Sequence, residues 1–251
     1  MIPSRIYIYG KHAILEALSH APRAIEEIFL AQQFENGTIQ ELIRKRNIKT
    51  SLFSPKKMPK DMDQSAAHQG IIGLLSLNHL VVSFEEFIKN LNVGTDTSLV
   101  LLGELSDPQN VGAIIRSAAA FGISGVIIPE HNQAQVTGSV VKVSAGMVFR
   151  VPVVSVSNIN NTIRVLKDRG FMVYGLVAGA KHILTKEEFE LPSLFILGNE
   201  AEGIRERTRE LCDKLLSIPM NQRCESLNAA ISASVAFYAW SAKHPKALRS
   251  S

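Results

Sequence analysis

Cysteine is scarce in this sequence, and long apolar runs are missing. Its 251 residues include two cysteines, Cys212 and Cys224, which are too few to staple such a chain and lack neighbours at zinc-ligand spacing. No stretch approaches the roughly 20 apolar residues that cross a bilayer. The first residues also lack a basic segment followed by an apolar core, so no secretory signal is expected. We therefore expect a cytoplasmic protein without disulfides and without a membrane partner.

Extremes of composition are missing as well. Apolar residues make up 46% and charged residues 20% of the chain, which excludes a disordered or collagen-like protein. The length fits two modest domains or one large domain. The net charge of +4 permits binding to a phosphate-rich polymer but does not establish it. Residues 1–80 and 97–251 each carry +3, whereas residues 81–96 carry −2, so a domain boundary is expected in that acidic segment.

The first 80 residues have the pattern of a small α/β domain. Helical spacing occurs at 9–18, and Thr38 with Glu41 forms a capping-box pattern for a helix that ends near 46. Strands are predicted at 25–31, 50–53 and 70–75, and a helix-like stretch at 55–63. Residues 81–96 are interpreted as a linker that contains a short helix.

Strands and helices alternate regularly from residue 97 to residue 251. This order predicts a parallel sheet covered on both faces, with ligands at the carboxyl ends of its strands. The predicted strands are 99–102, 126–128, 151–154, 171–177, 194–197 and 215–218. The predicted helices are 111–121, 139–145, 159–169, 204–212 and 227–240.

Three of the predicted strand-end loops are unusual, and the first follows the strand at 99–102. Asp107 and Pro108 form a turn that leads to Asn110 at a helix start. Arg116 is the only charged residue in a helix of small and apolar residues. It requires an anionic partner, and the residues alone leave open an internal carboxylate or a ligand phosphate.

The second loop is a glycine-bounded segment, Leu-Gly-Asn-Glu-Ala-Glu-Gly at 197–203. It is expected to follow a strand and open a helix at 204, which would aim backbone N–H groups at a ligand. The loop lacks a Walker pattern, and Glu200 and Glu202 make it a poor phosphate cradle. Such a loop suits a ligand with hydroxyls or positive charge. Taken alone, it is more simply explained as a turn with solvated glutamates.

The third loop, at 218–230, precedes a helix rich in alanine and serine. Ser226 is predicted to cap that helix. Small residues on a helix let another backbone approach closely. The sequence leaves open whether they serve internal packing or a dimer interface.

Several kinds of catalytic site find no support in the residues. The sequence has no G-x-S-x-G elbow, no H-E-x-x-H pair and no Cys/His cluster, so neither a serine-hydrolase triad nor a metal site is expected. The missing glycine fingerprints also disfavour a nucleotide-binding α/β enzyme that uses phosphate loops.

The three loops together resemble the ordered motifs of the SpoU/TrmH branch of the SPOUT RNA methyltransferases. The first portion resembles the added RNA-binding domain of the branch's bacterial 23S rRNA guanosine-2′-O-methyltransferases. The resemblance implies an L30e-like domain at 1–80 and an α/β-knot domain at 97–251 with a carboxyl-terminal trefoil knot. It also implies a homodimer. The residues that carry it are Tyr9 to Leu18, His68-Gln69-Gly70, Asn110 to Arg116, Leu197 to Gly203, Ile218-Pro219-Met220 and Glu225 to Asn228.

The resemblance also implies a cofactor, S-adenosylmethionine (AdoMet), and a reaction, methylation of a ribose 2′-hydroxyl in RNA. The implied cofactor contacts are Ala178, Gly198, Gly203, Ile218, Met220 and Leu227. The implied catalytic residues are Asn110, Arg116, Glu200, Ser226 and Asn228. Because a guanidinium stays protonated, we expect Arg116 to clamp an RNA phosphate rather than to act as a simple base.

Two residues depart from the family's usual pattern, and two other functions stay open. Gln222 and Cys224 stand where glycine and valine are common, and a positive φ at 222 would strain glutamine.

The leading expectation is methylation of a guanosine in ribosomal RNA. The alternatives are a tRNA ribose methyltransferase and a non-catalytic RNA-binding protein of ribosome assembly.

Overall fold

The first portion of the chain folds around a four-stranded mixed sheet. The computed structural model describes residues 4–53, 67–199 and 202–249. Its first elements are β1 (Arg5–Tyr9), α1 (Lys11–His20), β2 (Ile25–Ala31), α2 (Gly37–Lys45), β3 (Thr50–Phe53) and β4 (Ile71–Ser76). The strand order is β1-β4-β2-β3, with β2 and β3 parallel and the other pairs antiparallel. The predicted strands are all present, and the predicted helix-like stretch at 55–63 lies outside the described residues.

The predicted start of α2 and its predicted cap both lie two residues too late. The side chain of Asn36, rather than Thr38, caps the helix and accepts a hydrogen bond from the Ile39 backbone N–H at 3.0 Å. Both residue types are good caps, and the flexible Gly37 lets the helix begin immediately after Asn36.

The second portion forms an eight-stranded sheet in which every pair is parallel. Its elements are β5 (Val81–Ser83), α3 (Phe84–Asn90), β6 (Ser98–Leu102), α4 (Pro108–Ala120), β7 (Gly125–Pro129), α5 (Gly138–Val143), β8 (Val153–Val156), α6 (Ile159–Asp168), β9 (Met172–Leu176), β10 (His182–Ile183), β11 (Ser193–Leu197), α7 (Glu206–Arg209), β12 (Lys214–Ser217) and α8 (Ala229–Lys243). The order is β10-β12-β9-β11-β6-β7-β8-β5. The predicted parallel sheet is confirmed.

Helices cover both faces of this sheet. Buried side chains of α4, α5 and α8 share one apolar cluster with the first portion of the chain. Buried side chains of α3 and α6 form the cluster on the opposite face. Because all strands run the same way, the loops after β6, β9, β11 and β12 meet at one edge of the sheet. No helix of the described ranges is both long enough and apolar enough to cross a membrane.

Three local predictions for this portion need correction. The segment at 81–96 contains the predicted helix, but its Val81–Ser83 is an edge strand that pairs with β8. The strand predicted at 151–154 begins two residues later, after Pro152, which has no N–H to donate to a ladder. The helix predicted at 204–212 is only the four residues of α7. Three- and four-residue elements are too short to show a clear period in sequence.

An ion pair between the buried Glu16 and the exposed Arg150 joins the two portions. Arg150 donates from Nε and Nη2 to the two carboxylate oxygens of Glu16 at 2.7 and 2.9 Å. Glu16 is 7% exposed, and its hydrogen bonds from Arg150 hold its pKa below the ordinary value. Nearby, Nε2 of His12 lies 3.1 Å from the carbonyl oxygen of Ala145. These contacts attach α1 to the turn that follows α5.

Replacing Glu16 by glutamine tests this attachment. We expect the free energy of unfolding to fall by about 1–3 kcal/mol at neutral pH. This value lies between the cost of breaking a surface ion pair and the cost of breaking a buried one. A carboxyl whose pKa is lowered by folding stabilises the folded state above its ordinary value of 4.5, and loses that effect as the pH falls through the folded value. The difference between wild type and Glu16→Gln should therefore shrink below about pH 4.5. Denaturant titrations across pH measure it.

Glu41→Gln is the matched control, because Glu41 is exposed on α2. A constant difference between wild type and Glu16→Gln down to the most acid pH that keeps the protein folded would contradict the assigned role of Glu16.

Candidate active site

A pocket of about 350 Å³ lies at the carboxyl ends of β9, β11 and β12. This volume falls in the range of small-molecule sites, roughly 300–1,000 Å³. All six residues that the sequence indicated as cofactor contacts line it: Ala178, Gly198, Gly203, Ile218, Met220 and Leu227. No charged side chain lines it in the described part of the chain. A ligand is therefore held by backbone groups, amides, hydroxyls and apolar contact.

The loop after β11 curls back on itself beneath Gly198. Asn199 and Gly203 exchange two backbone hydrogen bonds of 3.0 and 2.9 Å, which close the loop into a ring. A Cβ placed on Gly198 would lie 2.1 Å from the backbone carbon of Gly203 and 2.3 Å from the nitrogen of Ile204. Since real Cβ atoms do not approach backbone so closely, only glycine fits here. The expected helix start at 204 is wrong, because the chain first passes through this ring.

Asn199 ties this ring to the loop after β6. Its Nδ2 donates to the carbonyl oxygen of Glu104 at 2.8 Å, and the carboxylate of Glu104 pairs with Arg205 at 2.5 Å. Asn199 and Arg205 thus hold Glu104 through its carbonyl oxygen and through its carboxylate. The backbone of Glu104 has a positive φ of 63°. Sequence reasoning assigned no role to Asn199 or Glu104. An asparagine two residues after a buried strand was the available signal.

An asparagine pair connects the first and third loops. Nδ2 of Asn228 donates to Oδ1 of Asn110 at 2.8 Å. Oδ1 of Asn228 accepts from the backbone N–H groups of Ala230 and Ile231 at 2.8 and 3.3 Å, so Asn228 caps α8. Asn110 is 7% exposed and sits in the first turn of α4. The two predicted catalytic asparagines therefore lie together beside the pocket.

The predicted cap of α8, Ser226, is wrong, because the helix begins at Ala229 and its cap is Asn228. Ser226 lines the pocket instead, together with Asn228. Its carbonyl oxygen lies 3.0 Å from the Cys224 thiol. The strain considered for Gln222 is absent, since its φ is not among the positive values found in the described residues. The bend at 221–224 accommodates glutamine in an ordinary conformation.

Arg116 lies outside the pocket of its own chain. It is exposed on α4, and within the described ranges it forms no ion pair. An internal carboxylate partner is therefore not found among those residues, which leaves its guanidinium available to an external anion. Glu200, the remaining predicted catalytic residue, lies outside the described residues.

The described residues contain no group of three or more His, Cys, Asp or Glu side chains that could hold a metal ion. The site is therefore built from a neutral pocket, an asparagine pair and a solvent-facing arginine. This combination suits a bound organic ligand beside an anionic polymer.

Comparisons with known proteins identify the family of the chain. A profile of the SpoU rRNA Methylase family matches residues 97–238, more than half of the chain. A profile described as RNA 2′-O ribose methyltransferase substrate binding matches residues 7–79.

This chain belongs to the SpoU rRNA Methylase family.

Relatives and solved structures support the assignment across most of the chain. The 23S rRNA (guanosine-2′-O-)-methyltransferase RlmB of Neisseria meningitidis is 32% identical over 90% of this chain and 90% of its own. An uncharacterized tRNA/rRNA methyltransferase of Synechocystis is 30% identical over 92% of this chain, which spans only 61% of that relative. The SpoU methyltransferase AviRb of Streptomyces viridochromogenes, solved in complex with AdoMet, superposes with a TM-score of 0.82. It is 23% identical and matches 97% of this chain and 92% of its own.

The predicted family is confirmed, and AviRb confirms the SpoU methyltransferase fold. The knot within that fold stays a prediction. In this SpoU methylase the second and third motifs line the pocket. The first motif contains Asn110, which is bonded to Asn228 beside the pocket, and Arg116, which lies outside it.

Gly198→Ala tests the ring beneath the pocket. We expect AdoMet to bind about 5- to 100-fold more weakly, since overpacking costs about 1–3 kcal/mol. Isothermal titration calorimetry measures the affinity. Gly37→Ala is the matched control, because a Cβ there meets nothing within 4 Å. Unchanged affinity for AdoMet in Gly198→Ala would show that the ring does not shape the pocket.

Proposed function

We propose that this chain transfers the methyl group of AdoMet to the ribose 2′-hydroxyl of a guanosine in 23S ribosomal RNA. The observation that carries the proposal is the neutral pocket closed by Gly198, with the Asn110–Asn228 pair beside it. The RlmB-named relatives, about 32% identical over some nine-tenths of the chain, supply the substrate class. Other relatives are named tRNA/rRNA methyltransferases, so tRNA is the alternative substrate that the experiment must separate.

The residues of the pocket fit AdoMet. When bound, AdoMet would supply a methyl group carried on a positively charged sulfur, and the carbon of that methyl group is the atom that an oxygen nucleophile attacks. Gly198 lets the backbone of Gly203 and Ile204 pack directly against the pocket, because a Cβ there would collide with that backbone. Ile218 and Leu227 offer apolar contact, and Met220, Ala178 and Gly203 complete the lining. Among the described residues the lining carries no charged side chain, so it does not repel the cationic sulfur.

The polar residues act on the RNA side in this proposal. The 2′-hydroxyl must lose its proton as it attacks, yet the guanidinium of Arg116 is always protonated and holds anions well. Arg116 therefore clamps a phosphate beside the target nucleotide and orients the ribose. Asn110, held by Asn228, presents its amide at the start of α4. Glu200 and Ser226 complete the proposed catalytic set, with proton transfer assigned to no single member.

The active form is proposed to be a homodimer. Arg116 lies outside the pocket of its own chain, so a second chain is needed to bring an arginine to each pocket. One face of α8 buries Ala233, Phe237 and Trp240. The other exposes Ile231 and Tyr238, at 52% and 63%. Small residues thus serve internal packing, and the exposed apolar face fits a second copy. A monomeric mass in light scattering would contradict the proposed homodimer.

A ribosomal RNA substrate also implies a cytoplasmic location.

A labelling experiment tests the proposed function. The protein is incubated with methyl-labelled AdoMet and, separately, with 23S ribosomal RNA and with tRNA, and the modified nucleotide is mapped. The expected result is a 2′-O-methylguanosine in the ribosomal RNA only. Label in tRNA alone would establish the alternative substrate. No label in any RNA would favour the non-catalytic ribosome-assembly function.

Arg116→Lys tests the phosphate clamp within the same assay. Lysine keeps a positive charge but loses the planar fork of donors. We expect KM for RNA to rise about tenfold, because the loss of one bidentate contact costs roughly 1–2 kcal/mol of binding free energy. The fall in kcat should be smaller. Arg164→Lys is the control, because Arg164 is exposed on α6 at the opposite face of the sheet. Near-complete loss of turnover with RNA binding retained would contradict a simple clamp.

A further inference from the structure

A second and larger cavity lies between the two portions of the chain. It has a volume of about 1,020 Å³ and is an open groove rather than an enclosed chamber. On one side it is lined by Tyr7 and Tyr9 of β1 and by His12 of α1. On the other side it is lined by Ser139 and Lys142 of α5. It is distinct from the proposed cofactor pocket, and the two share no lining residue.

Close backbone packing sets the shape of this groove. A Cβ on Gly138 would lie 2.5 Å from the carbonyl oxygen of Tyr7, so β1 and the start of α5 touch at the groove floor. The ion pair between Glu16 and Arg150 and the contact of His12 with Ala145 hold the two walls together. The groove is therefore preformed, and a ligand need not order its walls before it binds.

The charges along the groove favour an anion. The cationic side chains of Arg5 and Lys142 line it, whereas no carboxylate lines it in the described part of the chain. Arg5 is already paired with Glu26 at 2.8 Å. Lys142 is exposed and has no ion pair within the described ranges, so it offers the clearest free cation. Two tyrosine rings next to this cation supply flat surfaces on which bases stack.

The groove leads to the proposed catalytic helix. Nε2 of Gln109 lies 3.4 Å from Oγ of Ser139, which lines the groove. Gln109 immediately precedes Asn110 in the first turn of α4. The wall of the groove is thus joined through Gln109 to the turn of α4 that carries Asn110.

We propose that this groove holds a single strand of the substrate RNA that adjoins the methylated nucleotide. Lys142 contacts a phosphate, and Tyr7 and Tyr9 stack against unpaired bases. A duplex does not suit the groove, because its bases are stacked on each other and hidden from aromatic side chains. The identification of the bound RNA as the substrate rests on the proposed function. The binding of single-stranded RNA is testable without any methyl transfer.

Salt-dependent binding tests the phosphate contact. The probe is a fluorescent single-stranded RNA of about 12 nucleotides, within the site sizes of single-strand-binding proteins, titrated with the full-length protein without AdoMet. Lys142→Gln should lower the slope of log affinity against log salt by about 0.7, the share of one phosphate on a single strand. Lys89→Gln is the control, because Lys89 is exposed on α3 at the opposite face of the sheet. Equal slopes for the two variants would overturn the proposal.

Stacking and location are tested separately. Tyr7→Leu keeps an apolar side chain but removes the ring, and single-strand affinity should fall about 5- to 100-fold while AdoMet affinity is unchanged. Photo-cross-linking of the same RNA carrying 4-thiouridine should label peptides that contain residues 5–13 and 137–146. Cross-links confined to other peptides, or a probe duplex that binds as tightly as the single strand, would overturn the proposal.

The outcomes distinguish this inference from the proposed function. If wild type methylates no RNA but Lys142→Gln alone changes the salt slope, the proposed function fails and the groove remains a single-strand site. If wild type methylates ribosomal RNA and the Lys142 and Tyr7 variants bind and methylate as wild type does, the groove proposal fails and the proposed function stands.

Discussion

The side chain of Asn228 is the constraint on which the candidate site depends. Its oxygen accepts the first free backbone N–H groups of α8, and its nitrogen holds the oxygen of Asn110 in α4. One amide thus decides where the last long helix begins and how the first motif faces the pocket. Ser117 and Ser234, hydrogen-bonded at 2.7 Å further along the same two helices, keep that packing in register. The site is assembled by helix packing as much as by its loops.

The parallel sheet explains why residues far apart in the chain share one pocket. Every strand of the larger sheet runs the same way, so the ends of β9, β11 and β12 open at one edge. The loop after β11 then folds into the ring around Gly198. The described lining of the pocket at this edge consists of glycine, amide, hydroxyl and apolar groups, and motifs based on histidine, cysteine or carboxylate pairs find no match in the sequence.

Sequence periodicity predicted most of the elements, because strands such as β6 and β11 are continuous apolar runs buried on both faces. The six pocket residues were implied by the resemblance to a family and not by periodicity. The cap of α8 was assigned to Ser226 rather than to Asn228, since both residue types cap helices and sequence cannot weigh the tertiary bond to Asn110. The groove between the two portions was not predicted. It arises from contacts such as Tyr7 with Gly138, more than 100 positions apart.

The most direct test of this account is Asn228→Asp, which keeps the capping oxygen and replaces the amide donor to Asn110. The account predicts a melting temperature close to that of wild type, since aspartate is as good a cap as asparagine. It also predicts a kcat for RNA methylation at least about tenfold lower, because a carboxylate cannot donate to the Asn110 oxygen. Asn228→Ala removes both contacts and should in addition cost about 0.5–2 kcal/mol of stability. An Asn228→Asp enzyme with the full wild-type kcat would contradict the account.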